Sequence, residues 1–227
     1  MSRKYIDMTK YPRLDHFRHF LTMQQPCVSI TVQVDITDWL SRLKASGCPF
    51  FLSFQYAVVR AANRIPEFRQ RIVDDKIVEY DYCNPSYIVS LPDDTYRYCN
   101  VNVNQPFAQY LEESRVKQDA SLHSEHLEEE EGDVLGLLFI SCVPWFNYTE
   151  AMMPYPGGSF SNPSFCWGGY RTEKYLALED GRVTEKVKTS IPVTLFFNHA
   201  LIDGIHAGRF FDNLGDELNN FNFSTKE

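Results

Sequence analysis

Signatures missing from this 227-residue chain each remove a class of function. The six cysteines, at 27, 48, 83, 99, 142 and 166, form no Cys-x-x-Cys pair, so neither a zinc site nor a dithiol redox motif is encoded. The N-terminus lacks the apolar stretch of roughly 7–15 residues that marks a secretory signal. Reduced, mostly buried thiols and a cytoplasmic location are the expectation. No run approaches the ~20 apolar residues of a membrane span, because Ser53 and Gln55 interrupt the most apolar segment. Lys and Arg number 22 against 30 Asp and Glu, a net charge of −8, and no basic cluster offsets this. A broad nucleic-acid surface is therefore excluded. Gly-x-Ser-x-Gly and Gly-x-x-x-x-Gly-Lys-Ser/Thr are missing, and no convincing Gly-x-Gly-x-x-Gly is present.

What remains is a globular composition, 44% hydrophobic and 15% aromatic. Surface scaling at this size implies that about 70% of the unfolded surface is buried, enough for a substantial core. No linker or repeat divides the chain, and residues 1–227 read as one domain. Residues 27–34 (CVSITVQV) alternate as a strand. Asp35 or Thr37 then caps a helix carrying Ile36, Leu40 and Leu43, stopped by Gly47. Residues 49–65 read as a buried helix and 71–80 as a hairpin turning at Asp74-Asp75. A short strand at 86–91 and a helix at 107–122 follow. Residues 126–133, with four consecutive glutamates, read as a solvated loop or helix end. Residues 134–143 have strand length, and 154–163 form a Pro/Gly loop. Strands are expected at 164–170, 175–178, 182–188 and 191–197, with the Glu179-Asp180-Gly181 turn between two of them. A helix at 204–221 closes the chain. Without regular βα alternation the expected class is α+β, a mixed and mostly antiparallel sheet flanked by helices in a two-layer sandwich.

The chemistry concentrates in residues 196–206 (FFNHALIDGIH). An apolar strand delivers His199 to a junction where neighbours can set its tautomer, and a histidine near neutral pKa suits a general base. Asp203 can cap the next helix or meet an arginine. A satisfied strand-end histidine has the same spacing. A metal reading of His199, Asp203 and His206 needs all three on one helix face, yet His199 precedes the helix. Cys142 has no neighbour that would lower its pKa and reads as structural.

His199-x-x-x-Asp203-Gly204 resembles the motif of the CoA-dependent acyltransferases of the chloramphenicol acetyltransferase family. The rest of the chain follows that family in order. Tyr11-Pro-Arg13-Leu-Asp-His16-Phe17 is similar to its opening, and Pro66-Glu-Phe-Arg69 with the hairpin after it is similar to its next segment. Ser141-Cys-Val-Pro144-Trp145 resembles its Ser-x-x-Pro-Trp segment, and the terminal match runs from His199 to Arg209. The resemblance implies a homotrimer with active sites at subunit interfaces and acetyl-CoA as co-substrate entering by a tunnel. It implies His199 as the base that deprotonates an acceptor hydroxyl, which attacks the thioester directly in a ternary complex. It implies Ser141 as oxyanion donor, Asp203 paired with Arg13 as structural support, and Tyr170 beside the CoA adenine. Phe20, Tyr96, Cys166 and Phe160 are implied for the acceptor pocket, with no metal. The implied activity is O-acetylation of chloramphenicol, an antibiotic-inactivating reaction, or of another small hydroxyl compound.

The chain also departs from the family. Asn198 replaces a histidine, Cys166 a threonine and Gly169 a lysine near CoA. After Trp145 the run that lines the family's chloramphenicol pocket is missing, and Met152, Met153, Pro154, Tyr155 and Phe160 occupy the region. Roughly a dozen extra residues separate Tyr170 from His199. A catalytically reduced trimer that still binds CoA or another ligand is therefore the alternative. The dihydrolipoyl acyltransferase core shares the motif, but no lipoyl domain precedes this one.

Overall fold

The computed structural model describes residues 1–125, 127 and 133–224, and the acidic run 128–131 falls outside them. The elements in chain order begin with β1 (Arg3–Tyr5), α1 (Leu14–Leu21), β2 (Cys27–Asp35), α2 (Thr37–Ser46) and α3 (Phe50–Asn63). Next come β3 (Gln70–Val73), β4 (Lys76–Tyr80), β5 (Asn84–Ser90), β6 (Tyr96–Asn100) and α4 (Phe107–Leu122). The chain closes with β7 (Leu137–Val143), β8 (Ser164–Gly168), β9 (Arg171–Glu179), β10 (Arg182–Asn198) and α5 (Gly204–Asn219).

The class is α+β, with helices against a mixed sheet of order β2-β10-β8-β7-β5-β6 and β9 paired to β10. The β7–β8 and β5–β7 pairings are parallel; the remaining pairings of this sheet are antiparallel. Alternation along the strands separates the two faces. Phe165, Trp167, Val193, Leu195 and Phe197 join the hydrophobic core with Phe54 of α3 and Phe210 of α5. Ser141, Cys166 and Thr194 lie side by side on the other face by register. Segment 144–163 covers that face. Ser29 Oγ donates to the Ala151 carbonyl at 2.6 Å, and Gln33 Nε2 donates to the Tyr148 carbonyl at 3.0 Å.

The small sheet β1-β4-β3 turns through Asp74 and Asp75, both at positive φ. Arg71 fixes it to the large sheet. Its fully buried guanidinium donates to the carbonyls of Phe68 (2.9 Å), Gln70 (2.6 Å) and Leu137 (3.0 Å). Burial lowers the Arg71 pKa.

Four expectations need correction. Residues 182–188 and 191–197 form one 17-residue strand, β10. Nothing at Thr189-Ser190 breaks it, and Pro192 falls between the last β9 partner, at Ser190, and the first β8 partner, at Val193. The strand expected at 164–170 stops at Gly168, and β9 starts at Arg171, four residues earlier than expected. At the interruption the Gly169 N–H donates to the Phe146 carbonyl at 2.8 Å, and a Cβ there would lie 2.7 Å from the Pro144 carbonyl oxygen. Residues 134–136 form a 3-10 turn before β7. Finally, no element is expected from the sequence at β1, α1 or β6, although Leu14, Phe17, Phe20 and Leu21 of α1 recur at helical spacing.

Candidate active site

Strand β10 carries the chain to Asn198, whose side chain is buried and fully used. Its Oδ1 accepts from the Ala200 N–H (2.9 Å) and its Nδ2 donates to the Phe160 carbonyl (2.9 Å). Asn198 thus ties the covering segment to the turn that presents His199. The His199 N–H donates to the Pro26 carbonyl at 2.8 Å. Its imidazole lies flat on Phe20 of α1, ring centroids 4.0 Å apart and planes at 8°. Among the described residues its buried Nδ1 has no hydrogen-bond partner.

The far side of the turn is fastened by α5 and by the start of α1. Asp203 is the α5 N-cap, with Oδ1 accepting from the Gly204 N–H, and His206 three residues on completes a reciprocal capping box. His206 Nδ1 accepts the Asp203 N–H at 2.9 Å, and Nε2 faces Glu67 at 3.5 Å. Both nitrogens of His206 are thus engaged within the chain. Burial holds His206 below the usual imidazole pKa, against the pull of Glu67. Arg13 donates to the Leu201 carbonyl and pairs with Asp203 Oδ2 at 3.4 Å. Burial works to raise the Asp203 pKa, but the Gly204 N–H, His199 and Arg13 outweigh it and keep the carboxyl low.

Ser141 stands elsewhere. It pairs with Cys166, and Cys166 pairs with Thr194. His199 is five residues beyond Thr194, about 17 Å along the strand direction. One chain therefore does not bring the imidazole and the Ser141 hydroxyl together. Around Ser141 a polar chain crosses the sheet. Thr31 and Thr194 hydroxyls are 2.7 Å apart, Thr194 donates to Tyr148 Oη (3.1 Å), and Tyr148 donates to the Cys166 carbonyl (2.9 Å). Burial raises the Tyr148 and Cys166 pKa values, pushes Cys27 up to about 11 and Cys142 up to about 12. These thiols are protonated at neutral pH and are poor nucleophiles.

The proposed pocket residues divide in the same way. Phe20 touches His199, and the Phe160 carbonyl meets Asn198 while its ring stacks on Phe139. Cys166 accompanies Ser141. Tyr96 lies on β6, at the sheet edge opposite β2, with its ring against Tyr98. Tyr170, 44% exposed, packs its ring against Phe50 and precedes Arg171, whose partner Ser190 lies midway along β10. Sequence reasoning missed Tyr148, Thr194, Glu67 and the role of His206. Only His206 left a signal, the Asp-x-x-His spacing of a capping box with histidine for the usual Glu or Gln.

A chloramphenicol acetyltransferase family model matches residues 1–215. Relatives of that name from a Klebsiella species and from Escherichia coli are each 27% identical over 212 residues, covering 92% of this chain and 90% of theirs. One from Clostridium perfringens is 25% identical, covering 97% of each chain. A solved chloramphenicol acetyltransferase structure superposes with a TM-score of 0.76 at 26% identity, covering 96% of this chain and 100% of its own. The cubic core of the pyruvate dehydrogenase multienzyme complex shares the fold, with a TM-score of 0.63 at 17% identity over 90% of this chain and 86% of that one. With a family match across most of its length and the same fold, this chain belongs to the chloramphenicol acetyltransferase family and is an acyltransferase.

Proposed function

We propose that this single-domain chain acetylates a hydroxyl of chloramphenicol, or of another small acceptor, with acetyl-CoA as donor, and that its active sites form between the copies of a homotrimer. The carrying observation is the separation of His199 from Ser141 within one chain, with the His199 turn fastened from both sides. A base and an oxyanion donor held that far apart act together only when neighbouring copies supply one each. His199 takes the proton from the acceptor hydroxyl, and the oxygen attacks the thioester carbonyl. The Ser141 hydroxyl donates to the resulting oxyanion. Collapse of the tetrahedral species breaks the C–S bond, and the departing CoA sulfur receives the proton from the imidazolium. A base supplies typically ~10²–10⁴ in rate, and one oxyanion donor about 10²–10³.

Arg13 and Asp203 act as structural support, since both engage the turn. Tyr170 offers an exposed ring for the CoA adenine. Phe20, Phe160, Cys166 and Tyr96 line the acceptor site, Tyr96 coming from a different copy than the one that supplies His199. The chemistry needs no metal, and the reaction is one of antibiotic inactivation in the cytoplasm. Neither a nucleic acid nor a membrane enters this reading.

A second reading, a catalytically reduced trimer that binds CoA or another ligand, is motivated by Cys166 in place of the family's threonine and Gly169 in place of its lysine. The Pro144 carbonyl leaves no room there for the family's lysine. Thiol release from acetyl-CoA with chloramphenicol, then with a panel of hydroxyl compounds, separates the two. Saturable release that vanishes in His199→Ala supports transfer. A folded trimer that binds CoA and releases none with any acceptor supports the second reading.

A further inference from the structure

The extra residues between Tyr170 and His199 build a ribbon with two unlike faces. Strands β9 and β10 pair from Glu179↔Arg182 to Arg171↔Ser190 through a turn with Asp180 and Gly181 at positive φ. Strand β2 ends at Asp35, opposite Ser190, so among the described residues, 182–189 pair with β9 alone. At ~3.3 Å per residue the nine residues of β9 extend about 30 Å. A two-stranded ribbon of this kind is at best marginally stable in water unless it packs against something.

Cross-strand partners share a face. One face carries Glu173 beside Lys188, with Tyr175 beside Lys186, and Lys186 pairs with Glu179 at 2.8 Å. It is suited to water. The other carries Leu178 beside Val183, with Leu176 and Val187 flanking the Lys174–Glu185 pair (2.8 Å). Leu176 and Leu178 are each 73% exposed and Val183 is 66% exposed. Among the described residues of the same chain nothing covers this face. The charge pattern narrows the occupant. Residues 171–188 hold five cationic and four acidic side chains, a net of +1, while the rest of the chain carries −9. The opposite net charges favour contact between the ribbon and the body of another copy.

We propose that this ribbon is a strap whose apolar face, centred on Leu176, Leu178 and Val183, docks on the body of a second copy of the chain. The strap adds a contact beyond any that a trimer makes through its bodies. The shared active site of the preceding reading does not depend on it.

The test compares the full chain with the triple variant Leu176→Thr, Leu178→Thr, Val183→Thr, which keeps strand-compatible residues. Sedimentation across protein concentration and hydrogen exchange of the strap amides are the readouts. Docking predicts strap amides protected at high protein concentration and released on dilution. In the variant the assembly dissociates at a concentration about tenfold higher or more. Glu173→Gln with Lys188→Gln, on the opposite face, leaves both readouts unchanged. If the triple variant does not fold, removal of residues 175–178 and 183–186 shortens both strands by the same even number and preserves register. A trimer whose strap amides exchange equally fast in wild type and variant overturns the strap and leaves the shared-site reading intact. A chain that sediments as a monomer at all concentrations, with a freely exchanging strap, overturns both.

Discussion

The rings of Phe20 and His199 are stacked 4.0 Å apart and within 8° of parallel, so one helix of eight residues fixes the plane of the proposed base. An aromatic contact of this kind is worth about 0.5–1.5 kcal/mol. Phe20→Ala should lower kcat roughly two- to tenfold, with KM for acetyl-CoA little changed. Steady-state kinetics with acetyl-CoA as the varied substrate measures the split, and a pure KM effect would remove Phe20 from the positioning of His199.

Asp203 caps α5 and also meets Arg13, and two substitutions separate these roles. Asn retains N-cap ability, whereas Ala loses it at a cost of about 1 kcal/mol. Urea midpoints should therefore fall in the order wild type, Asp203→Asn, Asp203→Ala. An Asn variant as unstable as the Ala variant would make the charge the dominant contribution.

His206 titrates at a depressed pKa in the folded chain because it is buried. The neutral ring is the one the fold prefers. Stability is complete above the unfolded value near 6.5 and declines as pH falls through it, levelling once the folded group is also protonated. His206→Gln preserves the capping geometry and removes this titration. Denaturation curves between pH 7.5 and 5 should therefore show a flatter pH profile in the variant than in wild type.

Sites built between copies predict complementation. His199→Ala and Ser141→Ala are each inactive alone. Refolded together at equal ratio, they should regain about a quarter of wild-type activity, the random share of sites drawing both intact groups across a heterologous interface. Thiol release in the mixture measures it. No recovery from mixed assemblies would place both groups in one copy.

Gly169 packs against backbone, not against a flexible side chain. Gly169→Ala should cost about 1–3 kcal/mol through a shift of the Pro144 strand end, visible as a lower Tm. Restoring the family's lysine at this position should destabilise equally and leave CoA affinity unimproved.

Much of this was legible from residues alone. The helices read at 49–65, 107–122 and 204–221, the one stopped by Gly47 and the strand at 27–34 each match an element, the first because apolar residues run almost all round α3. The His199 turn was legible through the order of short motifs, since Arg13, Ser141 and His199 keep their spacing relative to recognisable neighbours. Tertiary geometry hid the rest. Helix α1 is only eight residues long, and its apolar face of Leu14, Phe17, Phe20 and Leu21 has Phe17 as its one buried residue. Strand β6 is an edge strand whose exposed side needs no apolar residues. Tyr148 reaches Thr194 from a loop without periodicity, and no local rule foresees that contact. The Thr189-Ser190 break was inferred from polarity, whereas both residues are paired within β10.

The continuity of β10 constrains how this protein can change over time. From Ser190 onward the strand is locked to β2 residue by residue, and a slip of one position would turn Leu195 outward and drive Thr194 into the hydrophobic layer. Insertions within that stretch are therefore forbidden by register. Length can be gained or lost freely only at the Asp180-Gly181 tip, where paired residues can be added without disturbing the His199 end. The ribbon is the part of this enzyme open to evolutionary experiment, and lineages should differ there in length before they differ anywhere else along the strand.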